Sequence, residues 1–190
     1  MPRRPREEEA GALHHVYARG NNRQSIYVDD RDRRTYLRLL EAAVGRFEWI
    51  CLAYCLMDNH MHLLLETPRP NLGAGMQRLH GDYARAVNDR HEQSGHLFQG
   101  RFGAVRIRSD EQLLVTVAYI ARNPIEAGYC SEPDRYRWSS CAATLHGRAP
   151  GWLAAARVLD ALAPAGGDPL RRYAELVGSH QGSDPSLHKR

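Results

Sequence analysis

Met57-Asp58-Asn59-His60-Met61-His62-Leu63-Leu64-Leu65 is the stretch on which the reading of the fold turns. Successive side chains of a strand point to opposite faces, so His60, His62 and Leu64 share one face while Met61, Leu63 and Leu65 take the other. The apolar set suits a core. The second face then carries two imidazoles side by side, a natural pair of metal ligands. The pattern needs support elsewhere, because 10 histidines in 190 residues give about 0.5 His-x-His pairs by chance.

Outward from this stretch, Trp49 to Leu56 is almost wholly apolar, as expected of a central strand covered on both faces. Asp58-Asn59 between the two runs is a turn, which makes the pairing antiparallel. Upstream, Leu13 to Arg19 alternates as a first strand, Gly20-Asn21-Asn22-Arg23 breaks it, and Ile26 to Val28 extends the sheet. Asp29-Asp30 then opens a helix with Tyr36, Leu37, Leu40, Val44 and Phe47 at helical spacing. Downstream, Asn71 starts a second amphipathic helix that carries Leu72, Met76, Leu79, Tyr83 and Val87 and runs to about Arg90. A polar loop, Glu92 to Gly100, leads to a fourth strand, Phe102 to Arg108, with Val105 and Ile107 on one face and Arg106 and Arg108 on the other.

Strand–helix–strand–strand–helix–strand is the order of an α+β, ferredoxin-like antiparallel sheet with both helices on one face. Its open face would carry the histidines. A third helix, Asp110 to Asn123, is capped by Ser109 with Gln112 completing a capping box, and Pro124 ends or kinks it. Leu113, Leu114, Val117 and Ile120 form the stripe that would hold it on or near the open face. Further helices are expected at Trp152 to Leu162 and Leu170 to Val177, separated by Gly166-Gly167 and followed by a disordered tail from 178. The chain thus divides into a flexible leader (1–12), one main unit (13–145) and a C-terminal helical extension with its tail (146–190), without internal repeats.

A formal charge of +4 and a pI near 9.0 permit a nucleic-acid partner without requiring one. Lys189 is the sole lysine. Genome base composition is the simplest reason, yet the planar fork of the many arginines suits phosphates and guanine edges. Four cysteines show no C-x-x-C spacing, and Cys51 and Cys55 inside an apolar strand read as buried thiols of a reducing compartment. Met1 to Ala10 is charged, unlike a signal peptide, and the longest apolar run, Ile50 to Met57, falls short of the roughly 18 residues of a membrane helix. These features point to a cytoplasmic protein with no membrane partner, nucleoid-associated when bound to DNA.

The third helix places Tyr119 and Asn123 four residues apart, one above the other on one face. Alone, Tyr119 is more simply read as a half-buried aromatic and Asn123 as the residue before a proline. Their combination with a His-x-His strand, in this order, favours a site.

At this point the chain resembles the single-tyrosine transposases of the HUH superfamily, and most closely their REP-associated tyrosine transposase branch. The stretches that carry the resemblance are His15-Val16-Tyr17-Ala18-Arg19-Gly20-Asn21-Asn22-Arg23, Met57 to Leu64, Gly95-His96-Leu97-Phe98-Gln99-Gly100-Arg101-Phe102, Tyr119-Ile120-Ala121-Arg122-Asn123-Pro124 and Trp138-Ser139-Ser140. The resemblance implies a ferredoxin-like catalytic domain that nicks and rejoins single-stranded DNA at a hairpin bearing a flanking recognition sequence. It implies His60 and His62 as metal ligands, Tyr119 as nucleophile and Asn123 as third ligand. It does not extend past about residue 146.

The chemistry can be argued without the family. Anionic phosphodiester oxygens repel a nucleophile, and a divalent cation, Mg2+ or Mn2+, offsets that charge; two imidazoles favour Mn2+. A phenol with a pKa near 10 needs activation at neutral pH. His14, His15 and His96 are unranked candidates for that task. Arg19, Asn22, Arg23, His96, Arg101, Arg106 and Arg108 are candidate DNA contacts, each equally readable as a solvated polar residue. His96, Phe98 and Phe102 are candidates to stack on bases, the two phenylalanines equally readable as core. A catalytically silent hairpin-binding protein is the alternative reading, and a replication initiator a more remote one. A monomer and a homodimer that shares the tyrosine helix are both compatible with the sequence.

Overall fold

The computed structural model describes residues 8–163 and 167–178. The expected leader lies partly outside the described residues and Gly166 wholly so; the expected tail also lies outside them except for Gly178, which is the last residue of a helix rather than the start of a tail. At the centre is β3 (His60–Thr67), which pairs antiparallel with β2 (Ile50–Met57) on one side and β1 (Ala12–Arg19) on the other. β4 (Gly103–Ile107) pairs antiparallel with β1, giving the order β2-β3-β1-β4. This is the ferredoxin-like α+β sheet. α1 (Asp30–Phe47) and α2 (Leu72–His91) pack together, and their buried Tyr36, Leu40, Leu79 and Tyr83 join the cluster that receives Met61, Leu63 and Leu65.

The start of α1 follows from its sequence. Asp29 is the N-cap, its carboxylate accepting from the backbone of Arg31 and Asp32, and Asp30 and Asp32 sit in the first turn where the helix dipole favours anions. The second face of the sheet is covered by α3 (Asp110–Glu126), which rests on β2 and β3. Beyond it lie α4 (Cys141–Leu145), α5 (Ala155–Leu162) and α6 (Pro169–Gly178), with α6 packed on α3 and α5 on β2.

Five expectations need correction. β2 is an edge strand rather than a central one. It is nearly all buried because other segments occupy its free edge: Leu56 N–H donates to the Trp138 carbonyl (2.9 Å), Ser140 N–H to the Tyr54 carbonyl (3.0 Å) and Ala154 N–H to the Cys51 carbonyl (2.8 Å). An edge so covered is hydrophobic on every side, and its sequence reads like that of a central strand. Ile26 to Val28 is not a strand; Ile26 is buried and its N–H donates to the Asp58 carbonyl at 2.8 Å. The helix before Pro124 continues to Glu126, because proline removes one N–H yet the next turn closes through Ala127 N–H to the Asn123 carbonyl at 3.0 Å. Ser109 caps α3 as expected, but the Gln112 amide oxygen accepts from Arg108 N–H, one residue outside the cap. Finally, α4 was not foreseen, and α5 starts at Ala155 rather than Trp152.

Among the described residues no helix is long and apolar enough to cross a membrane. The four cysteines are free, and Cys51, Cys55 and Cys141 are buried.

Candidate active site

The β2–β3 turn sets the first ligand candidate. The Asp58 carboxylate forms an ion pair with Arg33 and accepts from the Tyr129 hydroxyl (2.7 Å), while its carbonyl accepts from Ile26 N–H. Arg33 is in turn stacked over Tyr27 and Trp138, 5.3 and 5.6 Å from the ring centroids. With the turn held, alternation along β3 puts His60 and His62 on the face beneath α3. Their rings meet edge to face, centroids 5.1 Å apart.

Register adds the neighbours. His62 lies opposite Tyr17 and His60 opposite Arg19, so β1 lays His15, Tyr17 and Arg19 along the same face. His15 Nε2 lies 2.9 Å from His62 Nδ1, and their rings stack with centroids 5.1 Å apart. His14 points to the opposite face and His96 is exposed in a loop. Geometry therefore ranks the three unassigned histidines: His15 alone borders the site.

α3 brings the other half. Leu113, Val117 and Ile120 are buried against the sheet, and the Arg122 guanidinium donates to the Val177 carbonyl of α6 at 3.2 Å. The opposite side of that turn then presents Tyr119 and Asn123. The Tyr119 ring meets His62 edge on at 5.4 Å and His15 at 5.7 Å between centroids. Asn123 lies between the histidines, Oδ1 3.1 Å from His60 Nε2 and Nδ2 3.4 Å from His62 Nε2. Both imidazoles thus direct Nε2 at one side-chain amide, and all four residues belong to one chain.

Burial lowers the His60 pKa; hydrogen bonding to Asn123 opposes the shift, and Arg19 reinforces it. Neutral imidazole is the form that binds metal. Burial raises the Tyr119 phenol pKa, hydrogen bonding to Asn123 lowers it, and Glu126 raises it. The phenol is therefore not pre-ionised, and a base or a cation must act on its proton. Among the described residues no three His, Cys, Asp or Glu side chains gather as a metal site. A cation here would depend on two imidazoles and the Asn123 amide oxygen, a donor set that fits a weakly held divalent ion completed by substrate oxygens.

The DNA-contact candidates divide. Arg19 shares the site face; Asn22 and Arg23 are exposed on the turn beyond it; His96 and Arg101 are exposed on the loop whose backbone bonds to Arg19 and Asn21. Arg106 lies opposite His14 on the other face and forms an ion pair with Glu9; Arg108, one strand repeat further, is exposed. Phe98 and Phe102 are buried, Phe98 stacked on His80 with centroids 4.1 Å apart, so neither offers a ring to a base. Sequence reading passed over Tyr17 as a site residue, although the period of β1 places it beside the histidines once the register is known.

The family described as "Transposase IS200 like" matches residues 10–123, more than half of the 190-residue chain. No curated protein matches the chain. Among solved structures, a REP-associated tyrosine transposase bound to a REP hairpin shares the fold, with TM-score 0.68 and 17% identity over 79% of this chain and 89% of that one. A transposase candidate from Deinococcus radiodurans r1 aligns with TM-score 0.44 and 16% identity over 66% of this chain and 97% of that one. The matched residues run from just before β1, through the histidine strand, to Asn123 itself, and the chain belongs to the IS200-like transposase family.

Proposed function

We propose that the chain is a metal-dependent single-stranded DNA endonuclease and strand transferase of the HUH type, in the REP-associated branch. It would act on hairpin DNA through a 5'-phosphotyrosine formed on Tyr119. The observation that carries this reading is the convergence of His60 Nε2 and His62 Nε2 on Asn123, one helical turn from the Tyr119 phenol, within one chain. The structural neighbour bound to a REP hairpin supports the substrate class.

His60, His62 and the Asn123 amide oxygen would hold Mg2+ or Mn2+, which when bound offsets the charge of the scissile phosphate. The chain's own residues do the rest. The Tyr119 oxygen attacks phosphorus in line, the O–P bond forms as the P–O3' bond breaks, the phenolic proton is removed, and the departing 3' oxygen becomes a hydroxyl. The phosphotyrosine conserves the bond energy, so a second 3' hydroxyl can reverse the step and join strands. The tyrosine acts in cis in this reading. Residues 13–145 would form the catalytic unit and 146–190 a helical extension with its tail, in which α6 packs on α3.

The test incubates a hairpin oligonucleotide carrying a single-stranded flank with Mn2+ and looks for a covalent protein–DNA band on a denaturing gel. Tyr119→Phe should abolish the band and leave hairpin binding near the wild-type level. One observation favours a second reading, a silent hairpin binder: burial raises the Tyr119 pKa. Hairpin binding by the wild-type chain with no adduct in Mg2+ or Mn2+ would establish that second reading.

A further inference from the structure

We propose that Asn59 is a positioning residue that ties the Arg23 carbonyl to His60 and fixes which ring nitrogen of His60 carries the proton. The inference rests on the metal-site reading of His60. Asn59 Nδ2 donates to the Arg23 carbonyl at 3.2 Å, and Asn59 Oδ1 lies 2.7 Å from His60 Nδ1. A backbone carbonyl only accepts, so it orients the amide with nitrogen outward and oxygen toward the ring. That oxygen is an acceptor too, so Nδ1 carries the proton. In neutral imidazole the other nitrogen, Nε2, then presents a lone pair.

That lone pair faces the Asn123 side-chain amide, whose Oδ1 is 3.1 Å away. An amide offers both a donor and an acceptor, so the contact can remain a hydrogen bond in this tautomer, and the two groups together could hold a cation. A ligating histidine held through its second nitrogen is the usual way an outer shell orients a metal ligand. At His62 the partner of Nδ1 is another imidazole, His15 Nε2, at 2.9 Å.

The strained backbone upstream supports the assignment independently. Asn22 and Arg23 adopt left-handed φ values of 50° and 61°, a pair of conformations non-glycine residues rarely take and which persist where surroundings enforce them. The turn is also bound to Asn59 through Gly20 N–H donating to the Asn59 carbonyl at 2.8 Å. A β-carbon at Gly20 would stand 2.0 Å from the Gln24 carbonyl oxygen, so the turn closes this tightly only with glycine there. The segment bearing the DNA-contact candidates Asn22 and Arg23 is thereby joined to His60 through one side chain.

Two measurements test this. Long-range 1H–15N NMR of the metal-free full chain at about pH 8, where the ring is neutral, should show the Nδ1–H tautomer of His60; the Nε2–H tautomer overturns the proposal. Calorimetric titration with Mn2+ should show Asn59→Ala binding roughly 10- to 100-fold more weakly than wild type, with Asn59→Asp, which keeps an acceptor for Nδ1–H, restoring affinity to near wild type. A folded Asn59→Ala chain with unchanged Mn2+ affinity overturns the proposal, since a residue that merely stabilises the turn would lower the melting temperature alone. If Asn59→Ala does not fold, the tautomer decides. If the wild-type chain binds no Mn2+, the metal reading falls by itself and the tautomer still decides the role of Asn59.

Discussion

A single half-buried imidazole away from the site shows how residue environments become stability. His80 on α2 packs against Phe98, with its Nε2 3.4 Å from the Tyr36 hydroxyl, and burial pushes its pKa from 6.5 down to about 4. The folded chain therefore resists protonation that the unfolded chain accepts. Above 6.5 both states are neutral and the contribution is complete; as pH falls from 6.5 toward 4 only the unfolded state gains the proton, and stability is lost, by at most about 3 kcal/mol. Urea unfolding at about pH 7 and about pH 4.5 should show this loss, and His80→Gln should make it shallower. His15, whose pKa burial also lowers to about 4, leaves part of the slope in place. A rise in stability of the wild-type chain on acidification would contradict the burial argument. At this same scale, the site was half legible in the sequence. His60 and His62 follow from a period of two, and Tyr119 and Asn123 from helical spacing. Asn59 was read only as a turn residue, because its role depends on the direction of the Arg23 carbonyl, which no local pattern encodes.

Elements were legible where one period dominates and obscure where tertiary covering mimics another environment. The alternation of β3 named its faces correctly, whereas β2 passed for a central strand because the 138–140 and 153–154 segments cover its free edge with backbone hydrogen bonds. β4 shows a related dependence between strands. Gly103 sits opposite Tyr17, and a β-carbon there would lie 2.2 Å from the phenol ring. Gly103→Ala should therefore displace Tyr17 from beside His62 and destabilise the chain by about 1–3 kcal/mol, read by chemical denaturation; a neutral result would mean that the ring moves aside freely. α3 depends on α6 in the same way. Buried Arg122 donates to the Val177 carbonyl at 3.2 Å and the Gly178 carbonyl at 3.4 Å. Arg122→Met should cost about 1–3 kcal/mol and reduce hydrogen-exchange protection in α6 before it does so in the sheet. Equal loss of protection in both would show that α6 and the sheet open as one unit.

At the scale of the whole molecule, the formal charge of +4 conceals two populations of arginine. Arg33, Arg90 and Arg137 are paired with Asp58, Asp29 and Asp32, and Asp30, respectively, tying α1 to α2, to the β2–β3 turn and to the 133–140 segment. These hold the scaffold, and their charge is already matched. Among the described residues Arg19, Arg23, Arg101 and Arg108 form no ion pair, and the first three lie at the end of β1 nearest His60 or on the loop bound to it. An arginine without a carboxylate partner can neutralise a phosphate without first breaking an ion pair, so the rim of the site is where counterion release should originate. Arg19→Ala with Arg23→Ala should weaken hairpin binding and reduce the slope of log affinity against log salt by roughly 0.7 to 0.9 per lost phosphate contact. Arg171→Ala, which removes an exposed arginine paired with Glu175 on α6, should leave that slope unchanged. Fluorescence anisotropy of a labelled hairpin across a salt series measures both. A slope reduced equally by Arg171→Ala and by the rim variants would mean that binding responds to net charge alone, with no preferred path for the strand past His60.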